Sequence, residues 1–524
     1  MLNHQYFTNH QIILFYVSIL LTVFSTALFY KQKYSLSILL LFAGSLVFGV
    51  FMGILDPYLH YWDEQFHALV AKNMTEHPFE PMLYKNPEIG YSYENWIANN
   101  IWLHKQPLFL WQIALSIDIF GATPFAVRFP SILMHAIMVL LIYRIGSKMV
   151  NKRTGYYGAF LFTFSNYILE LMVGTISSEH NDMAFVFYTT ASIWAWVELN
   201  SSKNNKWIFA IGFFAGCAVL NKWLPGLLVF GAWSFAIISS KEDRLNFKSY
   251  LKPIYAFLIA LVVFLPWQIY TLIRFPIESR YELNLNSLHF SQSIEGHGGD
   301  WLFHFNNIGV LYGKGFIVPF FLLIGFILLL VFSKEKKYRV FILSAIILVY
   351  SFYSIAATKM YSFTLIVAVF AFLSMGIIFD RFEELLNRYL KKPKIISILI
   401  LSLLFFFGWL SIDINEIENN HTYINIENNP TKNLKENELL LFEYLSNRIP
   451  DTSYAFFNLP FFSQVPFMFH KGYHAAYDFY PSEEQCKDLK NRNIKFVVVD
   501  NNRNDMPKYI INDTTIRIIK NIYW

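Results

Sequence analysis

The sequence has few charged residues and almost no cysteine. Only 15% of the 524 residues are Asp, Glu, Lys or Arg, whereas 55% are hydrophobic and 19% are aromatic. So few charges cannot cover the surface of a soluble protein of this size, which excludes a water-soluble chain. The two cysteines, Cys217 and Cys486, lie far apart, one in an apolar run and the other in a polar region. A disulfide framework is therefore not expected.

Other common features are also missing. Residues 1–10 contain no Lys or Arg, so we expect the first apolar run to span the membrane rather than to be a cleaved signal peptide. There are no clear internal repeats, and no glycine-rich loop of the kind that cradles phosphates, so nothing demands a nucleotide. The net charge of +5 comes from basic residues dispersed between apolar runs, which gives no indication of nucleic-acid binding.

The chain has instead a series of long apolar runs. Each contains about 15–21 residues with few or no charges, close to the ~20 residues needed to cross the hydrocarbon core of a bilayer. The runs fall at roughly 11–30, 36–55, 129–143, 154–169, 183–197, 207–220, 223–240, 253–273, 316–332, 340–358, 360–379 and 395–412. They predict a polytopic α-helical membrane protein with about 12 spans.

The basic residues indicate an orientation. Every second loop between the runs is rich in Lys and Arg, and such loops are typically cytoplasmic. The loops 56–128 and 274–315, and everything after about residue 413, are then expected outside. The unusual charged residues at the ends of runs fall mostly on this outer side. Because boundary charges normally face a protein-lined cavity, the pattern predicts a single outward-facing cavity.

The C-terminal part differs in composition. Residues 413–435 are polar and rich in Asn, which is typical of a linker. Residues 437–449 have helical spacing of apolar residues, and 495–500 and 516–524 have the composition of strands. We therefore expect a membrane domain, a linker and a small extracytoplasmic α/β domain. Their predicted bounds are 1–412, 413–435 and 436–524.

An adjacent pair of acids follows the second run after about eight residues. Asp63 and Glu64 stand among aromatic residues and histidines in the segment HYWDEQFH, which begins at His60. Loop acids are usually just solvated, but charges beside a membrane are costly unless something uses them. We therefore interpret Asp63 and Glu64 as candidate catalytic carboxylates, and His67 as a candidate for positioning the substrate.

Four basic residues at outer boundaries could together bind an anion, most simply a phosphate. They are Lys105, Arg128, Lys222 and Lys359. Lys105 and its neighbour His104 stand just before an apolar helix that we expect to begin near Pro107, and the amides of a helix start favour phosphate. Each cation could instead be an anchor at the membrane interface. Several of them together favour a cationic pocket.

A third polar segment precedes the fifth run. In SSEHNDMAFVFY, Glu179 and Asp182 are three residues apart, so a helix would place both near one face. Together with His180, they predict either a catalytic and substrate-positioning group or a metal site. Since His and carboxylates at this spacing are a weak metal signal, no metal ligand is assigned and no cofactor is required, although a divalent metal is compatible with the sequence.

These segments together resemble a known family, the membrane glycosyltransferases of the C-type fold. The similar group includes bacterial dolichyl-phosphate-mannose-protein mannosyltransferase-like enzymes and aminoarabinose lipid A transferases. Asp63 and Glu64 match the acidic pair of the family's first outer loop, and KQPL resembles its Lys-Pro-Pro-Leu segment. The family's later segments are matched in order by FAVRFPSIL, NDMAFVF, LNKWLPGLL and TKMYSF. The resemblance covers most of residues 55–365.

The chain departs from the family pattern at a few positions. His104 stands where the family often has Glu, and Gln106 replaces the first proline of KPPL. After Lys359, Tyr361 replaces a proline and Phe363 replaces a tyrosine. These differences concern the identity of the substrate rather than the fold.

The resemblance implies the inverting transfer of a sugar from a polyprenyl-phosphate donor to a hydroxyl group of a lipid, glycan or protein. This would occur on the outer side of the cytoplasmic membrane, with loop 56–128 as the catalytic loop and membrane lipids around the spans. Asp63 would be the general base, and the other two catalytic acids, Glu64 and Asp182, would position the acceptor or the sugar. The remaining residues would have two roles: phosphate binding by Lys105, Arg128, Lys222 and Lys359, and substrate positioning by His67, His104, Glu179 and His180.

Two alternatives remain open at this point. One is a transporter or flippase of lipid-linked glycans, which would share the spans and the polar cavity. Such a protein should also show interrupted helices or repeats, with polar groups spread through the depth of the membrane. The other is a glycan polymerase or ligase with different chemistry in its outer loops.

Overall fold

The structure, a computed structural model, describes residues 7–176, 179–313, 317–412, 417, 430–460, 462–503 and 505–523. The described part of the first 412 residues is mainly helical. Its α-helices are α1 (Asn9–Tyr30), α2 (Tyr34–Gly53), α3 (Asp63–Glu76), α4 (Pro107–Phe120), α5 (Pro124–Met149), α6 (Lys152–Thr163), α7 (Asn166–Val173), α8 (Glu179–Ser202), α9 (Lys206–Lys222), α10 (Leu228–Ser239), α11 (Phe247–Arg274), α12 (Pro276–Ser291), α13 (Phe303–Asn306), α14 (Ile308–Tyr312), α15 (Ile317–Phe332), α16 (Lys336–Ile355), α17 (Ala368–Leu390) and α18 (Pro393–Ser411).

Many of these helices could cross a membrane. Seven helical segments of the described chain are long and apolar enough to do so, and three shorter apolar helices accompany them. The seven are Asn9–Tyr30, Tyr34–Gly53, Pro124–Met149, Phe247–Arg274, Lys336–Ile355, Tyr361–Leu390 and Pro393–Ser411. The shorter ones are Pro107–Phe120, Leu224–Ser239 and Val318–Phe332. The chain is therefore a multi-pass α-helical membrane protein, as its sequence predicts.

Each predicted apolar run overlaps a helix, but three runs are not uniform. The run at 154–169 is divided between α6 and α7, because the chain leaves the helix at Phe164 and Ser165 begins a new one. The runs at 223–240 and 360–379 begin with short 3₁₀ helices, Leu224–Leu227 and Tyr361–Val367. Pro225 in the first of them lacks the N–H that a regular helix would use.

Glycines allow α5, α6 and α17 to pack backbone against backbone. A Cβ atom added to Gly146 would lie 2.6 Å from the Cα of Gly155, and one added to Gly376 would lie 2.6 Å from the N of Gly158. Small residues at such crossings are typical of helices in membranes, where close packing replaces the hydrophobic effect as the driving force.

The C-terminal part is a small α/β unit, as predicted. Its helices are α19 (Pro430–Arg448), α20 (Gln464–Lys471), α21 (Glu483–Asn491) and α22 (Lys508–Ile511), and its strands are β1 (Ala455–Phe457), β2 (Ala475–Ala476), β3 (Phe496–Asp500) and β4 (Arg517–Lys520). The strands form a parallel sheet in the order β2–β1–β3–β4. Most of the predicted linker at 413–435 lies outside the described residues, so the proposed domain division stays a prediction.

The α/β unit packs on the loop that contains α3. Lys72 of α3 donates hydrogen bonds to the carbonyls of Met468 and Phe469, at 3.2 and 2.6 Å. The rings of Tyr84 and Tyr477 stack with their centroids 5.3 Å apart. The loop from α2 to α4 is therefore held between the membrane helices and the α/β unit.

Candidate active site

The acidic pair lies in the first turn of α3, directly after a strained residue. Trp62 precedes the helix with φ 66° and ψ −124°, a backbone conformation that is costly for residues with a side chain, by about 1–3 kcal/mol. Asp63 and Glu64 follow it. Successive residues of an α-helix point about 100° apart, since one turn contains 3.6 residues. The two acids therefore have different neighbours.

Glu64 is fully buried against Arg128 of α5. The Nε of Arg128 lies 2.7 Å from Glu64 Oε1, and its Nη2 lies 3.0 Å from Oε2. The backbone N–H of His60 also donates to Oε2, at 2.6 Å. Burial opposes ionisation of this carboxyl, but the Arg128 guanidinium and His180 outweigh it, so the pKa of Glu64 lies well below its usual range. Glu64 is a permanently charged member of a buried pair.

Arg128 has no N–H left for a phosphate in this arrangement. Besides its two bonds to Glu64, its Nη1 donates to the carbonyls of Gly53 and Asp56, at 3.1 and 2.7 Å. Its Nη2 donates to the carbonyl of Tyr58 at 2.7 Å. These bonds occupy all five donors of the guanidinium. The phosphate role predicted for Arg128 would require some of them to break, and the geometry favours a clamp that joins α3, α5 and the end of α2.

Gly174 leaves room for the Glu64 carboxylate at the end of α7. A Cβ atom there would lie 2.6 Å from both Cδ and Oε1 of Glu64. Its φ of 89° is also one that side chains disfavour. The backbone after α7 can approach the clamp this closely only as glycine.

Asp63 pairs with Lys105, which stands just before α4. Lys105 Nζ lies 3.7 Å from Asp63 Oδ2, and 17% and 13% of the two side chains are exposed. Burial lowers the pKa of Lys105, but Asp63, Glu295 and Glu179 outweigh it and raise that pKa above its usual value. Lys105 therefore stays cationic, and both members of the pair are partly exposed to solvent.

A second ion pair joins Asp182 of α8 to Lys222 at the end of α9. The Lys222 ammonium also lies 4.7 Å from the centre of the Phe363 ring. Among the described residues, the Oδ2 atom of Asp182 is buried and has no hydrogen-bond partner. The charges of Asp182 and Lys222 both interact with that of Lys105. The charge of Asp63 also interacts with that of Lys222. The structure thus brings Asp63, Lys105, Asp182 and Lys222 together.

Two of the predicted histidines, His67 and His180, are buried next to acidic residues of the site. His67 Nδ1 lies 2.7 Å from Glu179 Oε1, and both side chains are buried. Burial lowers the pKa of His67 to about 3, so its ring is neutral at physiological pH. His180 Nδ1 lies 2.9 Å from Ser131 Oγ, and its Nε2 lies 3.5 Å from Glu64. Their burial favours support of the acidic pair over direct contact with substrate.

The side chain of Lys359 caps the C-terminal end of α16. Its ammonium donates to the carbonyls of Tyr353 and Ser354, at 2.8 and 2.7 Å, and to that of Ala356. Three acceptors match its three donors, and cations favour the C-terminal end of a helix. The predicted phosphate role of Lys359 would therefore require it to leave this cap.

A large cavity lies beside the end of α16 and the 3₁₀ helix Tyr361–Val367. Its volume is about 810 Å³, and Tyr167, Lys359, Tyr361 and Leu410 are among the residues that line it. None of the four ion-pair residues is among its lining residues, but the charge of Asp182 acts on Tyr167, which is. Cavities of about 300–1,000 Å³ are typical of small-molecule sites.

Sequence reasoning missed Glu282 of α12. Only 4% of this residue is exposed, and its Oε2 atom lies 3.6 Å from Nδ1 of His104. The ring of His104 stacks on Trp96 with centroids 4.9 Å apart. No signal in the sequence separates Glu282 from the other polar residues of its loop. In the part of the chain that the structure describes, no group of three or more His, Cys, Asp or Glu residues is arranged to hold a metal ion.

The candidate site contains two ion pairs at the ends of helices of a multi-pass membrane protein, and comparisons with known proteins indicate its class. A family model for dolichyl-phosphate-mannose-protein mannosyltransferase matches residues 104–270. The solved structures that the chain resembles include ArnT from Cupriavidus metallidurans bound to undecaprenyl phosphate, with a TM-score of 0.61 and 10% identity over 88% of this chain and 89% of that one.

A second similar structure is the archaeal oligosaccharyltransferase AglB from Archaeoglobus fulgidus, in complex with an inhibitory peptide and a dolichol-phosphate. Its TM-score is 0.57 at 13% identity, over 90% of this chain and 70% of that one. No curated protein sequence matches the chain. At these identities the structural likeness shows the fold, which is that of the C-type membrane glycosyltransferases. The predicted resemblance is thereby confirmed, and with the family match it indicates a glycosyltransferase-type enzyme.

Proposed function

We propose that this protein transfers a sugar from a polyprenyl-phosphate donor to a hydroxyl group, with inversion at the anomeric carbon. The observation that carries the proposal is the meeting of the Asp63–Lys105 and Asp182–Lys222 ion pairs. A carboxylate that can accept a proton lies next to cations that can stabilise a departing phosphate, which is what a single displacement requires.

In this reaction the acceptor oxygen attacks the anomeric carbon while the bond from that carbon to the phosphate oxygen breaks. Asp63 takes the proton of the acceptor hydroxyl. The electron pair of the broken bond stays on the phosphate, whose negative charge increases. Lys105, which stays protonated, and Lys222 would stabilise this charge. Asp182, whose second carboxylate oxygen has no partner among the described residues, is suited to bind a hydroxyl of the sugar or of the acceptor.

The large cavity is the space we assign to the donor near its phosphate. Leu311 and Leu410 provide apolar lining, whereas Ser165 and Tyr167 provide polar lining. This mixture suits the junction between a lipid tail and a charged head group. The similar ArnT and AglB structures were solved with undecaprenyl phosphate and a dolichol-phosphate, respectively. Their lipids support a polyprenyl-phosphate donor for this chain.

We assign the site to the outer side of the cytoplasmic membrane. The loop from α2 to α4 carries Asp63 and Lys105, and the α/β unit packs on the same loop. Lys31 and Lys33 stand in the turn between α1 and α2, at the other end of α2. Because short loops rich in Lys and Arg are cytoplasmic, this arrangement favours an outward-facing site and an extracytoplasmic α/β unit.

The test uses the full-length protein in lipid nanodiscs with a panel of undecaprenyl- and dolichyl-phosphate sugars and lipid, glycan and peptide acceptors. We expect transfer by the wild type from at least one donor, and its loss in Asp63→Asn with donor binding retained. Glu76→Gln is the matched control, because Glu76 lies on the same helix in an exposed pair with Lys85. Movement of donors across proteoliposomes without any transfer would instead support a flippase.

A further inference from the structure

A tryptophan occupies a glycine-like backbone conformation beside the second ion pair. Trp223 directly follows Lys222, with φ 65° and ψ −158°. L-residues rarely adopt this conformation, and bulky ones are true outliers there. Strain of this kind persists only where the surroundings impose it, and it is most frequent at functional sites. The surroundings of Trp223 therefore stabilise this conformation by more than its backbone strain costs.

Trp223 lines a small pocket next to Lys105. The pocket has a volume of about 20 Å³, and its wall also includes Trp267, Gln268 and Glu282. That volume is sufficient for one water molecule or one hydroxyl group. It is too small for a sugar ring. Trp223 is therefore one of the residues that set the size of this pocket beside Lys105.

Two residues that line this pocket, Ser279 and Glu282, have buried side-chain oxygens without a hydrogen bond among the described residues. Neither carboxylate oxygen of Glu282 accepts a hydrogen bond within the described chain, although only 4% of the residue is exposed, and His104 Nδ1 lies 3.6 Å from Oε2. The buried hydroxyl of Ser279, which also lines the pocket, likewise has no hydrogen-bond partner among the described residues. Buried polar groups are nearly always paired, so two such groups at one pocket point to a ligand. A carboxylate requires a ligand that donates a hydrogen bond.

We propose that Glu282, Ser279 and Trp223 form a subsite for a single hydroxyl-sized, hydrogen-bond-donating substituent of a sugar ring. The carboxylate of Glu282 accepts the hydrogen bond, and the indole of Trp223 excludes larger substituents. This inference rests on the proposed glycosyl transfer for its choice of a sugar ring. The ring can belong to the donor or to a glycan acceptor, because both present hydroxyl groups near Asp63.

The experiment measures binding to the full-length protein in nanodiscs. One arm uses undecaprenyl-phosphate pyranosides that carry hydrogen, hydroxyl or O-methyl at one ring carbon at a time. The second arm uses the same series as free methyl pyranosides in the presence of undecaprenyl phosphate. In one of the two arms, the wild type should bind the hydroxyl derivative more tightly than the hydrogen and O-methyl derivatives at a single ring carbon. That arm identifies the donor or the acceptor as the source of the ring.

Three variants separate the roles of the pocket residues. Trp223→Gly and Trp223→Ala should both reduce discrimination against O-methyl about 10-fold, as expected for a change of one group in a pocket. Trp223→Ala should also melt at a lower temperature than Trp223→Gly, because only glycine relieves the strained backbone. Glu282→Gln should reduce the preference for hydroxyl over hydrogen while leaving the exclusion of O-methyl intact.

The outcomes also separate this inference from the proposed function. Equal discrimination by the wild type and both Trp223 variants, with all three proteins folded, would overturn the subsite. A uniform weakening of all ligands would do the same, because it would indicate a structural role. If no polyprenyl-phosphate sugar binds but the free pyranosides show the pattern, the subsite stands and the proposed donor does not.

Discussion

Removing the side chain of Arg128 should destabilise the whole protein rather than weaken donor binding alone. In Arg128→Met, the fully buried Glu64 carboxylate would lose the guanidinium it pairs with, and with it the two hydrogen bonds of 2.7 and 3.0 Å. Three backbone carbonyls, those of Gly53, Asp56 and Tyr58, would lose a donor as well. Removal of one partner from a buried pair typically costs about 3–5 kcal/mol, and we expect a loss in that range.

The double variant Glu64→Leu with Arg128→Met tests the cause of this loss. It removes both charges, so no uncompensated charge stays buried, and it should be more stable than Arg128→Met alone. A favourable coupling of about 0.5–3 kcal/mol is the usual range for residues in direct contact. Leu and Met are both apolar, so the double variant replaces the ion pair by a hydrophobic contact between α3 and α5.

The assay is equilibrium unfolding in mixed detergent micelles, followed by tryptophan fluorescence. Arg274→Met is the matched control, because Arg274 also lies on a helix of the membrane part and pairs with Glu80, but 58% and 33% of the two side chains are exposed. Its loss should be clearly smaller, since solvent compensates exposed charges. The clamp assignment would be contradicted by a free energy of unfolding for Arg128→Met within about 0.5 kcal/mol of the wild type, together with a loss of donor binding. Arg128 would then bind the donor phosphate instead of acting as a structural clamp.

Three further outcomes are expected. Asp63→Asn should lower the rate of transfer by about 10²–10⁴-fold without changing the melting temperature, because it removes a general base that is partly exposed. Lys105→Ala should weaken donor binding, measured by titration in nanodiscs, far more than Lys31→Ala, whose lysine is exposed in the turn after α1. His67→Gln should reduce the loss of stability on acidification. The pKa of His67 is about 3 when folded and about 6.5 when unfolded, so the unfolded state binds the extra proton between these values and stability falls as the pH falls through them.

Each of these outcomes has a result that would contradict it. Normal transfer by Asp63→Asn would move the role of general base to Asp182. Equal donor binding by the Lys105 and Lys31 variants, with both proteins folded, would remove the phosphate role of Lys105. A stability curve for His67→Gln that runs parallel to the wild type from pH 3 to 6.5 would show that this ring is not a source of the acid sensitivity.

The helices of the membrane part could be predicted from the sequence because lipid demands uncharged segments of sufficient length. Each apolar run overlaps a helix, and α4 begins at Pro107 as expected. The break between α6 and α7 could not be predicted in this way. It falls at Phe164 and Ser165, within a run whose lack of charge predicts one continuous span.

The site was predictable as a set of segments but not as a set of roles. The sequence shows Asp63 and Glu64 as equivalent neighbours, and only the structure gives Glu64 a buried guanidinium and Asp63 an accessible ammonium. Arg128 and Lys359 are bound largely to backbone carbonyls. Every residue has a carbonyl, so no sequence motif could reveal these acceptors. Glu282 is distinguished only by its burial, which results from tertiary packing.

The position of Asp63 depends on the α/β unit as well as on the membrane helices. At the start of α3, the Glu64–Arg128 clamp fixes the helix to α5, while Trp62 packs against Phe462 with ring centroids 5.4 Å apart. Near the other end, Lys72 binds the last carbonyls of α20, where a cation is favourable. Because α3 is held from both sides, Asp63 cannot shift without breaking one of these contacts. A displacement of about 1 Å can cost a group-transfer reaction about 100-fold in rate, so this double attachment gives the α/β unit a direct part in the geometry of the site.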